Sequence, residues 1–126
     1  MPVSYVIDKQ NRLVESTATG VMTLGDILRF RREVVSDPNF DRSFSQLGDL
    51  SAATRIDLTE DEIRVLAGTS VFSLTARRAF VGEKQEVFVL ARMYSIFRGL
   101  RGDRAIRVFR SRHDALAWLL EKQGAA

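Results

Sequence analysis

The sequence predicts a single α/β domain, spanning residues 1–126, in which helices pack on a mixed five-stranded sheet. Within residues 46–63, a short apolar strand, a polar connection and a helix start follow one another, which is typical of one βα unit of a parallel sheet. An alternating segment near the N-terminus adds an antiparallel hairpin, and further strand–helix pairs follow residue 68. The predicted order of elements is therefore ββαβαβαβα.

The N-terminal hairpin is predicted from two segments rich in residues that favour strands. Residues 3–7 alternate weakly and residues 13–19 alternate between two faces, with the polar, turn-like residues 9–12 between them. Gly20 is expected to end the second strand. Because the loop is not a two-residue turn, the pattern leaves the register of the hairpin open.

The first helix is predicted over residues 24–36. Thr23 resembles an N-cap, and Asp26 places a carboxylate in the first turn, where it favours the helix dipole. Apolar residues follow at spacings of three and four and form one stripe, which Arg31 interrupts. Pro38 follows closely and should prevent the helix from continuing.

The third strand is predicted over residues 46–50, and the polar segment after it is predicted to be a connection. Thr59 and Glu62 have the spacing of a capping box, which starts a short helix that Gly68 can end. Residues 76–81 are then expected to form the fourth strand, because they combine small, aromatic and β-branched residues.

A long helix and one more strand–helix pair complete the predicted domain. The helix is expected over residues 84–98 and ends at Gly99. Residues 105–109 form the fifth predicted strand. Ser111 and Asp114 then have the spacing of a cap for the last helix, which is rich in alanine and leucine.

Composition excludes several kinds of catalytic site. The chain has no cysteine, which rules out thiolate chemistry, and its one histidine, His113, rules out a two-histidine metal site. The sequence contains no glycine-rich phosphate loop, dinucleotide fingerprint or serine-nucleophile elbow. We therefore expect no metal, no cofactor and no enzymatic activity. The alternative is acid–base chemistry by Asp49 and Asp57, which could face one another near the carboxyl end of the third strand.

Charge and hydropathy restrict the partners that we expect. The formal net charge is +3, acidic residues are interspersed, and the arginines that cluster late in the chain are not interleaved with aromatic residues in a nucleic-acid-binding pattern. We expect no tight binding of DNA or RNA. No apolar run approaches the ~20 residues that a membrane-spanning helix needs, and the N-terminus lacks a signal-peptide pattern. We therefore expect a cytoplasmic protein without membrane insertion.

Three segments of the chain resemble a known family. They are residues 47–59, which begin Leu-Gly-Asp-Leu-Ser-Ala-Ala-Thr, residues 90–94 and residues 108–119. With the layout of the whole chain, they resemble the STAS-like fold, and in particular the small bacterial anti-sigma-factor-antagonist-like proteins of the STAS/SEC14-like group. The resemblance implies a five-stranded α/β domain without enzymatic chemistry that often pairs as a dimer.

The resemblance also implies a candidate phosphorylation site. True antagonists of that family carry an Asp-Ser-Ser-Gly-like turn in which a partner kinase phosphorylates the second serine, and by position this residue would be Thr59. Glu60, Asp61 and Glu62 follow Thr59. Their charges favour the start of a helix but would repel a phosphate. An N-cap and a phosphosite are therefore alternative roles for Thr59.

A loop rich in arginine and glycine follows the long helix. Arg98, Arg101 and Arg104 alternate there with Gly99 and Gly102. Such a loop could cradle an anion, since glycine lets the backbone approach closely and arginine binds phosphate with two parallel hydrogen bonds. The alternative is an ordinary connection in which glycine ends the helix.

The long helix carries apolar residues around most of its circumference, whereas a helix that lies on a sheet needs only one apolar stripe. Something other than the sheet must cover the excess. We expect Phe88, Met93, Tyr94 and Phe97 to form a dimer interface or to line a ligand groove. Burial against a neighbouring helix is the alternative.

Two functions from different classes follow from these observations. The leading hypothesis is a non-enzymatic interaction domain, a homodimer that binds a regulatory protein. The alternative is a carrier of a small apolar ligand or lipid, of the SEC14-like type, with its pocket under the long helix. An enclosed apolar cavity would favour the carrier, and a flat apolar patch at a two-fold axis would favour the interaction domain.

Overall fold

Within residues 2–121, which the structure describes, nine elements build a five-stranded sheet with helices on both of its faces. The structure is a computed structural model. In chain order the elements are β1 (Val3–Asp8), β2 (Leu13–Thr23), α1 (Leu24–Ser36), β3 (Ser45–Asp57), α2 (Glu60–Leu66), β4 (Arg78–Val81), α3 (Gln85–Gly99), β5 (Ile106–Phe109) and α4 (Arg112–Leu119). This is the predicted order ββαβαβαβα.

The sheet has the order β1-β2-β3-β4-β5, so that each strand lies beside its neighbour in the chain. β1 and β2 are antiparallel and pair Val3 with Ala18 and Asp8 with Leu13. The three later pairs are all parallel. The observed sheet is therefore the mixed α/β sheet that the sequence predicts.

β2 and β3 are much longer than predicted. The prediction that Gly20 ends β2 is wrong: the strand continues to Thr23, and Gly20 lies inside it at φ +63°, beside a register irregularity. β3 likewise continues beyond residue 50, through the polar segment, to Asp57. The two extensions pair with each other, which satisfies the backbone while one face stays in solvent. Exposed polar side chains therefore mark an exposed strand here, not a connection.

The helices begin where the capping residues predict. Oγ1 of Thr23 accepts a hydrogen bond from the backbone N–H of Asp26 at 3.3 Å, and Oγ1 of Thr59 accepts one from the N–H of Glu62 at 3.1 Å. Both are complete capping boxes. Oγ of Ser111 accepts a bond from the backbone three residues on, at 3.3 Å. Outside β2 and β3, the predicted bounds agree with the structure to within two residues.

α4 covers one face of the sheet. Its Ala115 and Leu119 pack against Leu47 of β3 and Val81 of β4. These side chains are all at least nine-tenths buried.

The opposite face of the sheet carries α1, α2 and α3. Phe30 and Val34 of α1 pack against Val14 of β2, and α2 adjoins α3, which in turn contacts β5 and β3. The paired extensions of β2 and β3 continue past the four-residue strands β4 and β5. A cavity remains between these helices and the sheet, and it is the candidate site.

Candidate functional site

A cavity of about 120 Å³, partly open to solvent, lies between the sheet and the helices α1, α2 and α3. Apolar side chains supply most of its walls, among them Met22 from β2, Leu50 from β3, Ile27 from α1, Ile63 from α2 and Leu90 from α3. Strand residues reach it because alternate side chains point to this face. The elements that enclose the cavity therefore come from most of the length of the chain.

Gly48 gives the cavity part of its shape. A Cβ atom at this position of β3 would lie 2.6 Å from Cδ1 of Phe80, a distance that real side chains do not adopt. The glycine therefore allows the ring of Phe80 on β4 to lie directly against β3. From there Phe80 meets Tyr94 of α3 edge to face, with 5.7 Å between the ring centroids. Both aromatic rings line the cavity.

Arg31 of α1 brings a guanidinium group to the cavity. Its Nη2 donates to the backbone carbonyl of Leu66 at 2.7 Å and lies 3.5 Å from Oη of Tyr94, and its Nη1 lies 3.4 Å from Oγ1 of Thr69. These partners are all uncharged oxygen atoms. Burial lowers the pKa of the Arg31 guanidinium, because removal from water disfavours its charged form.

Arg78, the first residue of β4, brings a second guanidinium to the same cavity and is 5% exposed. Its Nε donates to Oε1 of Gln46 at 3.0 Å, and its Nη1 donates to Oγ of Ser70 at 3.3 Å. Gln46 in turn donates to Oγ of Ser16 at 3.1 Å. This network holds Arg78 over the ring of Tyr94, with 5.6 Å from Cζ to the ring centroid.

A third arginine, Arg98 of α3, is buried like Arg78 and is held by a carboxylate. Its Nε and Nη2 each lie 3.2 Å from Oδ2 of Asp103, and its Nη1 donates to the carbonyl of Ala67 at 3.1 Å. Nη1 of Arg78 lies 3.9 Å from the same carboxylate oxygen. Asp103 is 2% exposed and serves both arginines. Within residues 2–121, Arg31 has no carboxylate within ion-pair distance.

The positive charges change the acidity of Tyr94. Burial alone would raise the pKa of its phenol, but the positive charges of Arg78 and Arg31 outweigh burial and hold the pKa below its usual value. The charge of Arg98 acts in the same direction. The interior of the domain therefore favours a negative charge at this point.

The proposed acid–base pair of Asp49 and Asp57 does not form. Both residues lie in β3, eight positions apart, so about 25 Å of extended strand separates them. Asp57 is exposed and pairs with Arg55 at 3.1 Å. Asp49 borders the cavity, but its carboxylate accepts a backbone hydrogen bond from Ser51 at 2.9 Å and lies 3.7 Å from Arg112 of α4.

Thr59, the candidate phosphosite, is the N-cap of α2. Its hydroxyl accepts from the backbone of Glu62, and the Glu62 carboxylate accepts from the backbone N–H of Thr59 at 2.9 Å. Thr59 is exposed. The capping interpretation is confirmed, whereas phosphorylation of Thr59 remains a prediction.

The structure separates the three arginines that we expected to form one anion-binding loop. Arg98 points into the interior, where it forms an ion pair with Asp103. This pair supplies the counter-ion that a buried guanidinium needs. Arg101 and Arg104 are exposed. Arg98 and Arg101 border a shallow groove together with Arg42, and Arg104 is not among the residues that line it.

The structure also distributes the four residues of the expected interface or ligand groove. Tyr94 lines the cavity. Phe88 lies under the guanidinium of Arg110 at 4.0 Å, and Phe97 lies under that of Arg64 at 4.3 Å.

Met93 is half-buried and belongs to a different group of residues. With Val89, Ile96 and Leu100 it forms an outward apolar stripe at spacings of four, three and four along α3. Val89, Ile96 and Leu100 are the exposed members of this stripe. One outward stripe of α3 is thus apolar, and Met93 is its only member from the predicted set.

Sequence reasoning missed the two arginines that define the polar part of the cavity. Arg31 had a recognisable pattern, since it interrupts the otherwise apolar stripe of α1. Arg78 stands directly before the apolar residues of β4, where it resembles an ordinary strand-end charge. Only the arrangement of strands and helices places both residues at one cavity.

Two kinds of feature are absent from residues 2–121. Over residues 2–121, no helix is long and apolar enough to cross a membrane. In the same part of the chain, no group of three or more Asp, Glu or His side chains could hold a metal ion.

A comparison with solved structures identifies the fold. An uncharacterized protein of the DUF3478 family from Shewanella loihica PV-4, whose crystal structure at 2.25 Å has a SpoIIAA-like fold, is similar with a TM-score of 0.59. The two sequences are 17% identical, and the similarity covers 93% of each chain. This chain therefore has the SpoIIAA-like, STAS-like fold that the sequence resemblance implies. Comparisons with family models and with curated proteins give no match.

Proposed function

We propose that this protein binds a small, largely apolar molecule in the cavity under α3, without transforming it chemically. The observation that supports this proposal is the cavity itself, which is partly open to solvent and offers about 120 Å³ of space lined mainly by apolar side chains. Protein interiors are normally packed without voids much larger than a water molecule. Side chains around a space of this size forgo packing contacts with one another, so the presence of the space favours a role in binding.

The size of the cavity indicates the size of the ligand. An apolar cavity of roughly 150 Å³ accepts benzene. The cavity here is somewhat smaller, at about 120 Å³, but it is partly open, so it suits a body of at most about six carbon atoms, one aromatic ring or a short aliphatic chain. It is well below the ~300 Å³ at which pockets for drug-sized molecules begin. We therefore propose a ligand smaller than a complete phospholipid.

Benzyl alcohol is a suitable neutral probe for this proposal. We expect it to shift amide signals of residues around the cavity, such as Ile27 and Leu90, in ¹H–¹⁵N NMR spectra, and to raise the melting temperature by mass action. The variant Ala91→Leu should abolish both effects, because Ala91 lines the cavity and the added carbons fill it. Ala117→Leu, on the exposed side of α4, is the matched control and should bind normally. Binding that survives in Ala91→Leu would contradict the proposal.

A second candidate function is that of a homodimeric interaction domain that binds a regulatory protein. The observation in its favour is the outward stripe on α3, in which Ile96 is 56% exposed and Leu100 is 78% exposed. Adjacent exposed apolar residues on one helix often mark an interface. Light scattering at tens of micromolar protein should then give the mass of a dimer, and Ile96→Glu should give a monomer. A monomeric wild-type protein would contradict this candidate.

A further inference from the structure

We infer that the ligand is a small monocarboxylic acid, whose apolar body fills the cavity and whose carboxylate binds Arg31, Arg78 and Tyr94. This inference rests on the proposed binding function and specifies its ligand class. It starts from the polar side chains of the cavity, which a purely apolar ligand would leave unused.

The balance of buried charge is the first argument. The guanidinium groups of Arg31, Arg78 and Arg98 are close enough to affect one another. Among residues 2–121, Asp103 is the carboxylate that forms ion pairs within this group, and it pairs with Arg78 and Arg98. Asp103 lies 3.2 Å from Arg98 and 3.9 Å from Arg78. Arg31 is half-buried, and a positive charge that is partly removed from water without a counter-ion is unfavourable. Asp49 also borders the cavity, but its carboxylate accepts from Ser51 and faces Arg112, so an anionic ligand would supply the negative charge that Arg31 lacks.

The placement of Arg31 is the second argument. Its hydrogen-bond partners are the carbonyl of Leu66 and the hydroxyl groups of Thr69 and Tyr94, none of them charged. A guanidinium carries five N–H donors, more than these contacts use. Arginine pairs with carboxylates through short, charge-assisted hydrogen bonds. Arg31 is therefore equipped to receive a carboxylate at the cavity that it lines.

The convergence of polar groups from separate elements is the third argument. Arg31 comes from α1, Arg78 from β4 and Tyr94 from α3, and all three line the same apolar cavity. Ligand sites characteristically combine apolar walls with a few convergent polar groups that fix orientation. The apolar walls leave space for about six carbon atoms, so a ligand here has a small body and one charged end.

Benzoate and benzyl alcohol test this inference, since they share one ring and differ in charge. We expect the full chain to bind benzoate about tenfold to a hundredfold more tightly than benzyl alcohol, the usual effect of hydrogen bonds to a charged group. In Arg31→Gln, benzoate should bind no better than benzyl alcohol, whose own affinity should not change. Arg32→Gln is the matched control, because Arg32 is the exposed neighbour on the same helix.

Each outcome of this titration has one meaning. Equal affinities for the two probes in the wild type, or a preference for benzoate that persists in Arg31→Gln, would overturn the acid ligand and leave apolar binding intact. Binding of neither probe would overturn the proposed function and this inference together. Inorganic phosphate that displaces benzoate at equal concentration would also overturn the inference, because the site would then recognise charge alone. Tyr94→Phe provides a second variant, which should weaken benzoate more than benzyl alcohol.

Discussion

Arg31 on α1 and Tyr94 on α3 meet across the cavity, where Nη2 of Arg31 lies 3.5 Å from the phenol oxygen of Tyr94. The two residues are 63 positions apart in the chain. The same nitrogen donates to the carbonyl of Leu66 at the end of α2, at 2.7 Å. One side chain thus joins three helices at the cavity. The polar part of the cavity exists only when all three helices are in position.

The two tyrosines of the protein should titrate in separate steps. The charges of Arg78 and Arg31 hold the pKa of Tyr94 below its usual value despite burial. Burial, a hydrogen bond to Asp37 and the negative charges nearby raise the pKa of Tyr5. An ultraviolet titration of phenolate absorbance should therefore show one step below pH 10 and one above it. Tyr94→Phe should remove the lower step, and a single step near pH 10 in the wild type would contradict this prediction.

The same shift predicts how stability depends on pH. The pKa of Tyr94 is lower in the folded than in the unfolded protein, so the unfolded chain binds more protons in the range between the two values. The free energy of unfolding therefore rises with pH through that range, just below pH 10. Urea unfolding of the wild type and Tyr94→Phe at several pH values measures the effect as a difference. A difference that shrinks as the pH approaches 10 would be the wrong sign.

Loss of the N-cap of α2 should destabilise the domain. Thr59→Ala removes the hydroxyl that accepts from the backbone of Glu62 at 3.1 Å. We expect the free energy of unfolding to fall by about 1 kcal/mol. Thr59→Ser keeps the hydroxyl and should retain most of that stability. If Thr59→Ala and the wild type have the same urea midpoint, the cap contributes nothing.

Gly48→Ala should disturb the ring of Phe80. The added Cβ would lie 2.6 Å from Cδ1 and 2.8 Å from Cε1 of the ring, which must shift into the cavity or push β4 away. We expect a loss of about 1–3 kcal/mol, the usual effect of overpacking. Gly99→Ala is the control, because its Cβ would meet no atom within 4 Å. That substitution should be neutral or stabilising, and equal losses in the two variants would contradict the close approach at Gly48.

Asp103→Asn should be the most destabilising of these changes. It removes the carboxylate that Arg98 and Arg78 share and leaves two buried guanidinium groups without a counter-ion. We expect a loss of about 3–5 kcal/mol in the free energy of unfolding. Asp57→Asn is the comparison, since it breaks an exposed ion pair with Arg55 that should contribute less than about 1 kcal/mol. Similar losses in the two variants would mean that the buried ion pair contributes no more to stability than the exposed one.

Local patterns predict the helix starts well. Thr23, Thr59 and Ser111 cap their helices through bonds to the backbone three residues on, an interaction that lies wholly within a short segment. The length of β3 could not be predicted in the same way. Residues 51–57 are strand because β2 lies beside them, and no pattern within those residues records that partner.

The candidate site shows the same division between local and distant causes. The apolar excess of α3 is visible in the sequence, but which side of the helix each residue faces depends on where the sheet and α2 lie. Phe88 packs under Arg110, which directly follows β5, and Phe97 packs under Arg64 of α2. Neither ring therefore belongs to the outward stripe. Arg31 interrupts an apolar stripe in the sequence, and its role becomes apparent only when Arg78 and Tyr94 are beside it.

The strand order β1-β2-β3-β4-β5 has a consequence for how the protein is made. Because each strand pairs with the one synthesised just before it, the hairpin, α1 and β3 can assemble while the ribosome is still adding later residues. The most extensive pairing, between β2 and β3, is complete once Asp57 has emerged. Arg78 and Tyr94 come afterwards, so the cavity closes on a sheet that already has its framework.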